Sequence, residues 1–566
     1  MMLNIDAKKQ NTYDAIVVGS GISGGWAAKE LTEKGLKVLL LERGRNIEHV
    51  KDYDTAMLHP WEFKHRGRLT QEQIRNHPVQ TRSGFYNGYS EKFWVNDLDC
   101  PYTEEKRFDW YRGFQVGGRS LTWGRGCLRL SEMDFEANSK DGMGIDWPIR
   151  YKDIAPWYDY VERFVGVSGQ NEGLLQLPDG QFLPPMEMNC VEKEVKKRIE
   201  RHYKGLRMMT VYREANLTIP HLNRGKCLNR NLCSRGCPYG AYFSTQSSTL
   251  PAALATGNLT LRPFSIVNSL IYDKEKRRAK GVVVIDAETN ETMEFYSKII
   301  FLNGSTLGTT FLLLNSVSET FPDGFGNSSG QLGHNLMDHH FRVGASGTME
   351  GFEDKYYYGR RPGGIYIPRF RNFDGDKRDY LRGFHYGGSA SRTGWQRAIA
   401  EMNIGADFKE EMTTPGPWTM GLSGFGECLP YYENQVKLDK SKKDKWGQPV
   451  LSINCEYKTN EGKMRVDMMN DAVEILEAAG LKDVKGFDNG CTPGMAIHEM
   501  GTARMGLDPK SSVLNRWNQM HDVKNVFVTD GSCMTSSACQ NPSLTYMAFT
   551  ARACAHAVSE LKKMNL

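Results

Sequence analysis

Long apolar runs are missing from this chain. No window of about 18 consecutive apolar residues occurs in its 566 residues, so no transmembrane helix is expected. A strong charge of either sign is missing too. Lys and Arg number 72 against 67 Asp and Glu, a net +5 at pH 7 with no Lys/Arg block, which argues against a nucleic-acid partner. Cysteine is sparse: 12 residues scattered over the chain do not read as a disulfide scaffold. The first residues, MMLNIDAKKQNTYD, hold neither an apolar h-region nor a twin arginine, so no export signal of the chain's own is expected. What is present is a 40% hydrophobic composition, ample for a large core. The length fits about three or four domains, or two that interleave.

The N-terminal segment carries the first chemical signal. Tyr13 to Val18 reads as a buried strand running into Gly19-Ser20-Gly21-Ile22-Ser23-Gly24. A helical stretch to Glu33 and a second strand, Lys37 to Leu41, follow and end at Glu42. This is a dinucleotide fingerprint in its full setting. Gly19 permits the tight turn, Gly21 lets main chain approach a pyrophosphate, and Gly24 lets helix pack on strand. The helix N-terminus faces the phosphates, and Glu42 can accept from a ribose hydroxyl. The spacing alone does not choose between FAD and NAD.

Further along, Gln115 to Gly124 (QVGGRSLTWG) is a glycine-rich loop that can bring backbone against a flat ring, or be any tight loop. Lys298 to Asn303 reads as a strand ending in GSTLG before an apolar helix. Asn525 to Val528 is a strand ending at Asp530-Gly531-Ser532, and an apolar helix, Ser543 to Val558, follows. Two polar residues stand out. His498 opens HEMGTARMG and Asn541 opens NPSLT. A neutral histidine can take a proton, but in isolation His498 can equally be a satisfied structural histidine, and Asn541 a helix N-cap. Asp338-His339-His340 reads as structural. Cys227, Cys233 and Cys237 form a C-x5-C-x3-C-P run. It suits an iron–sulfur cluster; zinc with His221 as a fourth ligand, and thiols without metal, are the alternatives.

Taken in order, GSGISG, VGGRSLTWG, GHNLMDHH (Gly333 to His340), HEMGTARMG and VTDGSCMTSSACQNPSLT resemble the glucose–methanol–choline (GMC) oxidoreductase family over nearly the whole chain. The resemblance implies a mixed α/β fold: a Rossmann-like FAD-binding domain (10–50, 105–150, 240–340 and 515–566) interleaved with an antiparallel-sheet substrate-binding domain (51–104 and 341–514). Residues 183–239 would be an insertion carrying the cysteines. It implies His498 and Asn541 as the catalytic pair. It implies FAD contacts from Gly19, Gly21, Ser23, Gly24, Glu42, Arg43, Gly117, Gly118, Ser120, Val267, Asp530, Gly531 and Asn541. Relatives with a flavin bound through histidine carry that histidine where Thr122 stands, so the FAD is expected to be non-covalent. The branch that is most similar is that of bacterial sugar dehydrogenases, where the same cysteine spacing holds a [3Fe–4S] cluster. That implies a pyranose or pyranoside substrate oxidised at C3, a small companion subunit, and a cytochrome-type acceptor. Either a cytoplasmic site or export to the periplasm with the partner is consistent. Glucose C1 or gluconate C2 oxidation, an oxygen-using oxidase, a flavin-bearing lyase and a non-catalytic binding module are the other readings. Tyr356, Tyr357, Tyr358, Arg360, Arg361 and Trp395 are expected to read the sugar, with a plain sheet surface as the alternative for the tyrosines.

Overall fold

The computed structural model describes residues 11–357, 361–394 and 404–566. Two sheets organise the chain, and each follows from a different sequence pattern. The first is made of near-continuous apolar strands buried on both faces, as parallel strands under helices must be. Its order is Leu259–Arg262, Val38–Leu41, Thr12–Val18, Thr292–Leu302. These four run parallel. The free edge of Thr292–Leu302 is divided. Its C-terminal half pairs parallel with Val526–Val528, and its N-terminal half pairs antiparallel with Arg278–Asp286, which pairs in turn with Ser265–Asp273. The carboxyl ends of Thr12–Val18, Thr292–Leu302 and Val526–Val528 thus point the same way. Ligands bind in such sheets at that end.

The helix Ile22–Glu33 lies on this sheet and packs against Ser543–Lys562. Gly24 and Gly25 let it approach closely. A Cβ on Gly25 would stand 2.6 Å from the Thr249 hydroxyl oxygen, so the face toward the helix Thr249–Ala255 must be bare.

The second sheet is antiparallel throughout, in the order Lys482–Asp488, His340–Met349, Trp418–Gly426, Phe384–Arg392, Ile365–Ile367, Thr210–Val211. Trp418–Gly426 alternates buried and half-buried side chains along its whole length, the period of two that gives a strand one core face. Met464, Met468, Ala472, Ile475 and Leu476 form the buried stripe of the helix Thr459–Ala478, which covers that face. Each large apolar side chain buried there contributes about 1.5–3 kcal/mol. The helix Cys190–Tyr203 adds Val191, Val195 and Ile199 to the same cluster. Among the described residues, no helix is long and apolar enough to cross a membrane.

Candidate active site

One cavity of about 470 Å³ runs from the carboxyl ends of the first sheet to the second, within the range of ligand and cofactor pockets. Of the expected cofactor residues, Gly19, Gly21, Ser23, Glu42, Arg43, Gly118, Ser120, Val267, Asp530, Gly531 and Asn541 all line it. Gly24 and Gly117 stand behind the wall and shape it. Gly19 has φ +88°, a left-handed conformation that favours glycine, and a Cβ there would lie 2.4 Å from the Asn303 carbonyl oxygen. A Cβ on Gly24 would lie 1.8 Å from the Gly19 carbonyl oxygen. By contrast, nothing stands within 4 Å of where a Cβ on Gly21 would be. This is the cradle that a pyrophosphate at a helix N-terminus requires.

Glu42 is buried at the end of Val38–Leu41. It accepts from the Ser20 hydroxyl at 2.5 Å and the Gly44 amide at 3.0 Å. Burial raises its pKa, and these bonds oppose the rise. Arg43 pairs with Asp444 at 2.7 Å. Asn303 Oδ1, Tyr111 Oη, Tyr546 Oη, Arg43 Nε and Arg125 Nε are buried polar atoms of lining residues with no partner of their own. A polar cofactor laid along the cavity fits such a set. Thr122 also lines the cavity.

At the other end the wall is made of side chains. His498 Nε2 lies 3.2 Å from Asn541 Nδ2, and Asn541 Oδ1 accepts from the Tyr212 hydroxyl at 2.5 Å. His498 Nδ1 lies 2.9 Å from His339 Nδ1. Two devices hold His498 in place. The preceding Ile497 has φ 64°, a left-handed conformation that a β-branched residue avoids at a cost of about 1–3 kcal/mol. The buried Asp338 carboxylate accepts from the backbone amides of Gly494 at 2.8 Å, Ala496 at 3.2 Å and His498 at 3.0 Å, and so ties the turn down. Burial, with Glu499 second, lifts Asp338 to about 7 against those three bonds. Glu499 is itself paired with Arg119 at 2.8 Å. Burial lowers the pKa of His498 well below the ordinary histidine value, and His339, Arg119 and His385 add to the effect. A neutral imidazole facing the cavity can accept a proton from a hydroxyl.

The cysteine run lies beside this cavity. Ser234, between Cys233 and Cys237, lines it. The three thiols are half-buried, and the run is tied to the 55–58 segment by Arg235 donating to the Leu58 carbonyl at 2.9 Å. Burial pushes Cys227 up to about 11, and the two neighbouring thiols contribute. Among the described residues, no three His, Cys, Asp or Glu side chains are gathered as metal ligands. His221 is engaged elsewhere, its Nε2 2.8 Å from the Arg163 carbonyl oxygen.

Tyr356 and Tyr357, two of the aromatic residues expected to read the substrate, do not line the cavity. Tyr356 and Tyr357 are 61% and 50% exposed, and Arg361 pairs with Glu192. Tyr358, Arg360 and Trp395 lie outside the described residues. The aromatic wall comes instead from Trp94, Trp110, Tyr111, Phe341 and Phe425. Sequence reasoning missed Tyr212 and the Arg119–Glu499 pair; it read Asp338 as structural without the amides it would hold. Glu499 directly follows His498 and Arg119 sits inside the VGGRSLTWG loop, so the two motifs held that signal; Tyr212 sits in no motif.

A dinucleotide cradle opening onto a His–Asn pair defines an alcohol oxidoreductase of the flavin type. The chain belongs to the GMC oxidoreductase family, FAD-dependent enzymes acting on alcohol and sugar CH–OH groups: the family's N-terminal model matches residues 13–341 and its C-terminal model residues 430–550. It is 30% identical to a 2-methyl-1,2-propanediol dehydrogenase of Mycolicibacterium austroafricanum, over 95% of this chain and 94% of that one. It is 26% identical to a fructose dehydrogenase large subunit of Gluconobacter japonicus, over 97% and 98%. Among solved structures, the formate oxidase of Aspergillus oryzae shares the fold, with a TM-score of 0.61 at 14% identity over 98% of this chain and 99% of that one.

Proposed function

We propose that this chain is an FAD-dependent dehydrogenase that oxidises a hydroxyl of a pyranose or pyranoside, with C3 of the ring as the site. The observation that carries the reading is that His498 and Asn541 line the same cavity as the dinucleotide fingerprint. Gly19, Gly21, Ser23 and Glu42 would hold the nucleotide, and Gly118, Ser120, Val267, Asp530 and Gly531 the rest of a non-covalently bound FAD. Once bound, its flavin supplies the acceptor for the carbinol hydrogen as hydride. The protein supplies the rest. His498 Nε2 takes the hydroxyl proton. Asn541 Nδ2 has two protons, one toward His498 and one free to hold the substrate oxygen. Asp338 fixes the base, and Phe341, Phe425 and Trp110 keep water out. The names of the relatives, a diol dehydrogenase and a fructose dehydrogenase subunit, support a polyol or sugar as donor. The choice of C3 rests on the resemblance of the motif set. Anaerobic incubation with a panel of pyranosides, then product analysis, tests it: a 3-keto sugar is expected, while a lactone moves the reaction to C1 and a 2-keto acid from gluconate to C2.

The same reading makes Cys227, Cys233 and Cys237 the ligands of a [3Fe–4S] cluster, supported by their sequence spacing and by the contact of Ser234 with the cavity. As folded here the thiols are not gathered round one point, so the cluster would have to draw them together. It would supply one-electron transfer to a cytochrome-type acceptor, with a companion subunit for export to the periplasm. Anaerobically purified protein should contain about three irons per chain. Cys233→Ser should lose them together with activity toward a cytochrome, while sugar still bleaches the flavin. Zinc, or no metal, in carefully prepared protein would end this part of the reading and favour an oxidase that reduces oxygen.

A further inference from the structure

His339 is fully buried beside the base, and the reaction as described above does not use it. Its two ring nitrogens meet different partners. Nε2 lies 2.7 Å from the carbonyl oxygen of Ala538, and Nδ1 lies 2.9 Å from Nδ1 of His498. A carbonyl oxygen only accepts, so the proton of His339 sits on Nε2. Burial holds the pKa of this ring down at about 4, so at neutral pH it carries that one proton and its Nδ1 is a lone pair. The Nδ1–Nδ1 contact requires a proton between the rings, and only His498 can provide it. His498 is therefore the Nδ1–H tautomer, with a bare Nε2 facing Asn541 and the cavity. The other side of the pair is oriented to match. Asn541 turns its Nδ2, a donor, to that bare nitrogen at 3.2 Å and its Oδ1 to the Tyr212 hydroxyl. Every donor from Tyr212 through Asn541, His498 and His339 to Ala538 then points in one direction along the chain.

The far end of this chain is anchored by main chain. Ala538 has φ 53°, a left-handed conformation unfavourable for alanine, and its amide donates to Glu427 at 3.2 Å. The backbone of His339 is held in turn, its carbonyl accepting from the Tyr457 hydroxyl at 2.9 Å.

We propose that His339 is a positioning residue that selects the tautomer of His498, keeping Nε2 bare as the acceptor for the substrate hydroxyl proton. The proposal rests on the reading of His498 as the base. In the reaction the substrate O–H bond breaks and an N–H bond forms at Nε2 of His498, which becomes an imidazolium. Its Nδ1 proton stays between the two rings, and the carbinol hydrogen leaves with its electron pair to FAD. Without an acceptor on the His339 side, the His498 proton is free to move to Nε2, where it blocks the base.

Two substitutions separate this role from a merely structural one. His339→Asn places an amide acceptor near the Nδ1 position and keeps the contact to His498, but is too short to reach Ala538. His339→Gln reaches Ala538 and keeps that bond, but leaves His498 without its acceptor. Both are made in the full flavin-loaded enzyme, and flavin reduction by a pyranoside that reduces the wild type is followed anaerobically in H₂O and D₂O. His339→Asn is expected to reduce close to the wild-type rate. His339→Gln is expected to be slower by about 10- to 100-fold, less than the roughly 10²–10⁴-fold of a base lost outright because the bare tautomer stays partly populated, with an increased solvent isotope effect because proton removal has become limiting. A fast His339→Gln, an unchanged isotope effect, or loss of flavin from both variants assigns His339 to holding the fold and overturns the proposal. His498→Ala keeps the two readings apart. If it reduces at the wild-type rate, the base assignment itself fails; if it is slow while His339→Gln is fast, only the tautomer proposal fails.

Discussion

At its nucleotide end the cavity is walled by main chain, and at its alcohol end by side chains. The first wall is glycine at Gly19 and Gly21, backed by Gly24; a single carbon added at Gly19 or Gly24 would strike a backbone oxygen, while Gly21 faces open space. The second wall includes His498 and Asn541, backed by His339 and Tyr212 and placed by those side chains and by a strained turn. The difference teaches that the two ends should fail differently. Damage to the backbone-built end removes the cofactor. Damage to the side-chain end leaves the cofactor bound and slows the chemistry.

The largest effect should come from Gly24→Ala. Its methyl would stand 1.8 Å from the Gly19 carbonyl oxygen, and neither the helix nor the turn can yield without opening the cradle. The purified variant should carry no flavin, as read from the ratio of flavin to protein absorbance. A fully loaded variant would break the contrast between the two ends. At the other end, Asn541→Ala should keep its flavin and reduce it more slowly by a factor on the order of ten, the worth of one well-placed hydrogen bond. Loss of flavin instead would make Asn541 a cofactor ligand more than a substrate one. The smallest effect expected is that of acid. Burial depresses the pKa of His498, so protonation of the base is delayed to lower pH. The rate of flavin reduction should therefore hold as pH falls through about 6.5, the ordinary histidine value. A half-maximal rate at that pH in the wild type, retained in Asp338→Asn, would mean that the base is solvated; one that disappears in Asp338→Asn would report protonation of Asp338, which burial lifts to about 7.

The same contrast explains what the sequence disclosed. The nucleotide end is local: strand, glycine turn, helix, strand and Glu42 lie within about 30 residues, and a glycine pattern records a backbone need directly. Four strands of the first sheet are readable for the same reason, as short apolar runs at Tyr13, Lys37, Lys298 and Asn525; Leu259–Arg262, Ser265–Asp273 and Arg278–Asp286 are not. The alcohol end is not local. His339 and His498 are 159 residues apart, and Tyr212 and Asn541 are 329 apart. His498 and Asn541 were found through motif resemblance. The role of Asp338 and the approach of Tyr212 depend on the antiparallel sheet and on the left-handed Ile497, which no spacing announces. The exposed Tyr356 and Tyr357 show the converse: aromatic residues clustered in sequence need not reach the site, and the aromatic wall came from segments with no shared pattern.

The role of His498 as the base beside a reducible flavin is open to one direct comparison. Wild-type enzyme and His498→Ala, both loaded with flavin, are mixed without oxygen with a panel of pyranosides, and the flavin absorbance is followed. At least one pyranoside should bleach the wild-type flavin, and His498→Ala should bleach about 10²- to 10⁴-fold more slowly with equal flavin content, the scale of a lost general base. A wild-type flavin that no sugar or alcohol bleaches, or a His498→Ala enzyme that bleaches as fast as the wild type, would contradict it.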